Sequence, residues 1–100
     1  MENIMMLILG LCISVIGIVN ITGNISTVHS YNRRRVEEED IPKYGKVVGT
    51  GTLIIGLSLV LGYILSFWNE EIMGFIIALA VIVGLGLMLY GQIKYNKGLF

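Results

Sequence analysis

Three stretches of the chain contain no Asp, Glu, Lys, Arg or His: Ile4 to Thr22, Val47 to Trp68 and Ile72 to Gln92. At about 1.5 Å rise per residue, each helical run would span roughly 28 to 33 Å, matching a bilayer hydrocarbon core of about 30 Å. The polar positions collect between the runs. The pattern predicts an all-α, polytopic membrane protein with three transmembrane helices in one domain over residues 1–100. Helix one is expected over about 4–22, a cytoplasmic loop over 23–46, and helix two over about 47–68, with a start as early as 41. An outer turn at 69–71, helix three at about 72–92 and a cytoplasmic tail at 93–100 complete the chain.

The first run is rich in Ile, Leu and Val, each contributing about −0.3 to −0.6 kcal/mol to insertion at a helix centre. It reads as a membrane helix rather than a cleaved signal peptide. Its leading residues include Glu2 and no base, and no small-x-small cleavage site precedes a soluble domain. Only Asn69, Glu70 and Glu71 separate the second and third runs, which demands a tight antiparallel hairpin. Orientation follows from the bases. Arg33, Arg34, Arg35, Lys43 and Lys46 lie in the first loop, Lys94 and Lys97 follow the third run, and none lies at the N-terminus or the hairpin turn. By the positive-inside rule the N-terminus and the Glu70-Glu71 turn are expected outside, and the loop and C-terminus in the cytoplasm. Aromatic residues agree, with Phe67, Trp68 and Phe75 near one interface and Tyr44, Tyr90 and Tyr95 near the other.

Glycine recurs at seven-residue spacing in every run: Gly10 and Gly17, Gly49 and Gly56, Gly84 and Gly91. Two helical turns separate each pair, so each marks one face on which another backbone can approach closely. Gly10/Ser14, Thr52/Gly56, Ser58/Gly62, Gly74/Ala78 and Ala80/Gly84 add faces with two small residues four apart. Such faces serve equally for packing inside one three-helix chain and for self-association. Their abundance favours a homo-oligomer or a larger membrane-protein partner.

Composition narrows the chemistry. Charged residues make up 14% of the chain, against about 25% in soluble domains. Seven Lys and Arg balance seven Asp and Glu, so no net field draws nucleic acid. Cys12 is the sole cysteine and cannot form an internal disulfide. In the loop, Ile21, Ile25 and Val28 recur at i, i+4 and i+7, predicting a short interfacial helix after a break at Gly23 or Asn24. Arg33/Glu37, Arg34/Glu38 and Arg35/Glu39 are spaced for ion pairs on a helix, each worth about 0.2 to 0.5 kcal/mol. Asp40 is placed to cap helix two, with Pro42 tolerated in its first turn. Arg33 to Arg35, Lys43 and Lys46 are candidate contacts for anionic lipid or a partner, although orientation alone explains the arginines.

His29 stands without a metal-ligand pattern, and Ser30 beside it is adjacency without triad geometry, so neither a metal site nor catalysis is expected. Glu37 to Asp40 are consecutive and cannot converge on one cation, which leaves a solvated acidic run. No cofactor is expected.

The loop pattern is more specific. Asn20, Gly23, Asn24, Ser26, His29, Ser30 and Tyr31, then Arg33 to Val36, Glu38 to Asp40, and Tyr44-Gly45-Lys46 with Gly49 and Gly51, resemble an uncharacterised family of three-helix membrane proteins of Firmicutes. The resemblance covers essentially the whole chain, implies the same topology and supplies no activity. More distantly, Asn20, Gly23, Arg33 to Arg35 and Gly49 look like the membrane part of the immunity protein against the sporulation-delaying killing peptide. That likeness implies an immunity or sensing role.

Two functional classes follow. The first is a non-enzymatic accessory, sensing or immunity-type subunit acting through helix and loop contacts. The second is a small oligomeric channel or transporter, with Ser14, Asn20, Thr50, Thr52, Ser58 and Ser66 as the hydroxyl and amide groups available to line a path. No ionisable residue stands at membrane depth to couple transport.

Overall fold

The computed structural model describes residues 2–23 and 36–97, all of whose regular structure is helical. Helix α1 spans Glu2–Ile21, α2 Ile41–Leu65 and α3 Glu70–Tyr95, with a single 3-10 turn, Glu38–Asp40, leading into α2. All three helices are long and apolar enough to cross a membrane. The molecule is a rod of 45 × 19 × 18 Å.

Helix ends follow capping chemistry rather than the limits of the uncharged runs. At the C-terminus of α1 the Gly23 amide donates to the Asn20 carbonyl at 3.0 Å. Gly23 itself has φ of 103°, a left-handed conformation that a residue without Cβ adopts at little cost. Helix α2 starts at Ile41, the early limit of the expected range, and Pro42 sits in its first turn where no helical amide bond is lost. Asp40 does not cap this helix through its side chain. The 3-10 turn runs straight into α2, leaving Asp40 in the helical region at φ −94° and ψ −8°, where its carboxylate makes no cap bond.

The hairpin turn differs from the expected 69–71. Helix α2 stops at Leu65, and Glu70 and Glu71 belong to the first turn of α3. Asn69 is the reason: its Oδ1 accepts from the Glu71 amide at 2.9 Å and the Ile72 amide at 3.2 Å. This satisfies two of the orphan donors at the helix start, and the two glutamates lie favourably against the positive end of the helix dipole. At the other end α3 continues beyond Gln92 to Tyr95. A charge rule finds where lipid should end, not where helical hydrogen bonding ends.

Helix α2 lies between the other two. Both α1 and α3 pack along its length and scarcely touch one another. Their closest approaches are glycine to glycine. A Cβ at Gly17 would lie 2.6 Å from the Leu53 amide nitrogen and 2.8 Å from the Gly49 carbonyl oxygen. Gly10 meets Gly56 in the same way two turns on, and Gly51 meets Gly84 on the opposite side of the contact. Only chains lacking side chains at these points can approach so closely, which multiplies dispersion contact between backbones.

Candidate functional site

The most chemically varied part of the described structure is the end of the bundle that carries the 23–40 connection and the C-terminus. Here α2 begins and α3 finishes, so Tyr44 of α2 comes against Gln92 and Tyr95 of α3. Tyr44 is fully buried, and its hydroxyl donates to Gln92 Oε1. Val36, Ile41, Val48, Met88 and Tyr95 pack around the ring. Asn96, immediately past α3, is also fully buried, and Asn20 at the end of α1 is 2% exposed with its Cβ against Gly49.

Both asparagines, with Tyr44 and Gln92, have polar partners beyond these contacts. Four hydrogen-bonding side chains, from the three helices and the residue after α3, therefore gather at one end of the bundle, with Asn20, Tyr44 and Asn96 buried and Gln92 half-buried. Three of the four are amides, which both donate and accept hydrogen bonds and so can fix one geometry at this end. Each satisfied bond contributes about 0.5 to 1.5 kcal/mol net, while an orphaned buried partner would cost about 1 to 3 kcal/mol.

Around this cluster stand the charges. Glu37 pairs with Lys97 at 3.5 Å between exposed side chains, tying the segment before α2 to the residues after α3. Lys94 Nζ donates to the Tyr90 hydroxyl at 3.0 Å and lies 5.4 Å from the Tyr90 ring centre and 5.5 Å from that of Tyr95. Lys43 and Lys46 are exposed on the first turns of α2.

The expected site residues divide accordingly. Asn20 and Gly23 lie at the cluster and its adjoining cap. Asn24, Ser26, His29, Tyr31 and Arg33 to Arg35 lie outside the described residues, as do the interfacial helix and the three arginine pairs assigned to that loop. Gly10, Gly17, Gly49, Gly56, Gly84 and Gly91 are all buried at contacts between helices of this one chain. Gly74 and Gly86 meet nothing within 4 Å of a built Cβ.

Among the residues assigned to a polar path, four hydroxyls turn inward to their own helix. Thr50 donates to the Lys46 carbonyl at 2.6 Å, Thr52 to Val48 at 2.9 Å, Ser58 to Ile55 at 2.6 Å and Ser66 to Tyr63 at 2.6 Å. Ser14 Oγ is buried against Gly56 with no hydrogen-bond partner among the described residues.

Sequence reasoning missed Gln92 and Asn96 and read Tyr44 only as an interfacial aromatic. A signal was present. Gly84, Met88, Gln92 and Asn96 recur every four residues, so two amides continue the very stripe by which α3 meets α2. Among the described residues no three His, Cys, Asp or Glu side chains gather in a way that would hold a metal. Cys12 is exposed on α1. No known family, curated protein or solved structure matches the chain.

Proposed function

We propose that this chain is a non-enzymatic, multi-pass subunit of the bacterial cytoplasmic membrane, with its N-terminus outside and its loop and C-terminus in the cytoplasm. It acts as an accessory, sensing or immunity-type protein that recognises a larger membrane partner. One observation carries the reading: the closest glycine approaches are spent inside the chain, joining α1 and α3 to α2. A prepacked unit of this kind leaves two kinds of surface for others, the apolar outer faces of α1 and α3 and the charged connection at the polar end.

The likeness of Asn20, Gly23, Arg33 to Arg35 and Gly49 to the immunity protein's membrane part supports the same reading. So does the buried amide and tyrosine cluster, which would hold the loop at a set height and angle on the membrane. In-cell crosslinking of the tagged full chain, followed by solubilisation and purification, tests it. A discrete membrane-protein partner is expected to recur across replicates and to be lost when Arg33 to Arg35 are changed to Gln together. Absence of any reproducible partner would refute the subunit role.

A second reading, an oligomeric channel, draws on one specific feature: α3 buries only Gly84 and Gly91 within the chain, leaving most of its surface for neighbours. Against it stand the four hydroxyls already bonded to their own helices. Light scattering in nanodiscs and ion flux in proteoliposomes separate the two readings, since the channel requires both a defined oligomer and conductance.

A further inference from the structure

We propose that Lys43 and Lys94, with Tyr90 and Tyr95, form a binding site for the phosphate of an anionic phospholipid on the α2–α3 flank opposite α1. The proposal rests on the membrane reading above. It starts from register. Gly51 meets Gly84 and Tyr44 meets Gln92, so the two antiparallel helices place Lys43 and Lys94 at the same level.

Flank follows from helix handedness. Successive residues turn by about 100°, and in two antiparallel right-handed helices the residue preceding each contact residue lies on the same side of the pair. Lys43 precedes Tyr44, and Lys94 precedes Tyr95, which packs against the cluster of Tyr44 and Val48. Gly45 follows Tyr44 and is buried, as is Gly49 four residues on, which meets α1; that helix therefore covers the other flank.

Depth is suitable. Lys43 lies about 6 Å of helix rise before Val47, where the apolar part of α2 begins, and Lys94 about 3 Å beyond Gln92. Both stand where headgroup phosphates lie. Neighbouring helix axes are typically about 8 to 10 Å apart, so two lysine stems can converge on one phosphodiester.

Among the described residues neither Lys43 nor Lys94 has an ion-pair partner, whereas Lys97 at the same end pairs with Glu37. The Lys94 ammonium is already localised by the Tyr90 hydroxyl and two ring faces, so binding costs it little further side-chain entropy. Leu87 and Val83 continue the line of Lys94 and Tyr90 down α3, and Val83 is 46% exposed, giving an acyl chain an apolar track below the phosphate.

The test uses the full chain in nanodiscs of phosphatidylglycerol mixed with phosphatidylcholine, with retained lipid counted by native mass spectrometry after mild extraction. Phosphatidylglycerol is expected to be enriched among retained lipids. Lys43→Gln and Lys94→Gln should each lower that enrichment about fivefold, the factor one base contributes near an anionic surface. Lys94→Arg should retain it, and Lys97→Gln, which removes the same formal charge from the same end, should leave it within twofold. No enrichment, or an equal loss in Lys97→Gln, would overturn the site in favour of none or of diffuse attraction. Release of the chain from vesicles by alkaline carbonate would overturn the membrane reading and the site together, whereas retention without enrichment overturns the site alone.

Discussion

At the scale of single residues, identical side chains carry different weights depending on what faces them. Gly17 and Gly74 are both glycines in apolar helices, but a Cβ at Gly17 would strike the backbone of α2 while one at Gly74 would meet nothing. Gly17→Ala is therefore expected to destabilise the bundle by about 1 to 3 kcal/mol, the usual cost of overpacking. Gly74→Ala should be neutral or slightly stabilising through helix propensity, by up to about 1 kcal/mol. Reversible unfolding of both variants in detergent checks the contrast. Tyr44→Phe keeps the buried ring and removes the donor to Gln92. Its expected cost is about 1 kcal/mol, and a double variant with Gln92→Leu should cost less than the two single variants added together, the difference measuring the coupling of the pair. Seven-residue glycine spacing was legible from the sequence, but whether a given glycine faces its own chain or the outside of the bundle was not. That distinction depends on the rotation of each helix, which no local signal records.

Individual elements are governed by their ends. Asn69 closes the α2–α3 turn by accepting two amide bonds at the start of α3. Asn69→Ala should cost about 0.5 to 2 kcal/mol and raise amide exchange in Glu71 and Ile72 ahead of the rest of α3, as hydrogen-exchange mass spectrometry would show. An unchanged exchange pattern would mean that the turn is held by the two helices rather than by its cap. Asp40, which has the right chemistry for the same task at α2, makes no such bond because a 3-10 turn already holds it in helical geometry. Residue type alone could not separate these cases. Capping depends on whether the chain arrives extended, as at Asn69 with φ −154°, or already coiled, as at Asp40.

The two ends of the molecule differ in charge, with Lys43, Lys46, Lys94 and Lys97 at one and Glu70 and Glu71 at the other, and this asymmetry makes its orientation testable. In a Cys12→Ser background the chain is free of cysteine, so single reporters can be placed at Glu71 and Lys97. A membrane-impermeant maleimide applied to intact cells is expected to label Glu71→Cys, and to label Lys97→Cys only after permeabilisation. The reverse pattern would invert the topology and move Lys43 and Lys94 to the outer leaflet. Glu37→Gln, by contrast, should alter stability by less than about 1 kcal/mol, because its pair with Lys97 is exposed and screened.

Three long helices, their approximate limits, the antiparallel hairpin and the positions that permit close approach were all legible in the residues alone. These properties are local sums, of hydropathy over a span or of spacing along a helix, and so can be read from residues in order. Packing, in contrast, makes α2 the central helix, pairs Gly10 and Gly17 with Gly56 and Gly49, and matches Gly51 to Gly84. It also gathered Asn20, Tyr44, Gln92 and Asn96 at one end, the first two and Asn96 buried there. Those outcomes depend on the register and rotation of helices against each other. Many rotations bury similar apolar area in so uniformly apolar a chain, and the one adopted is selected where backbones can touch and where buried groups such as Tyr44 find polar partners.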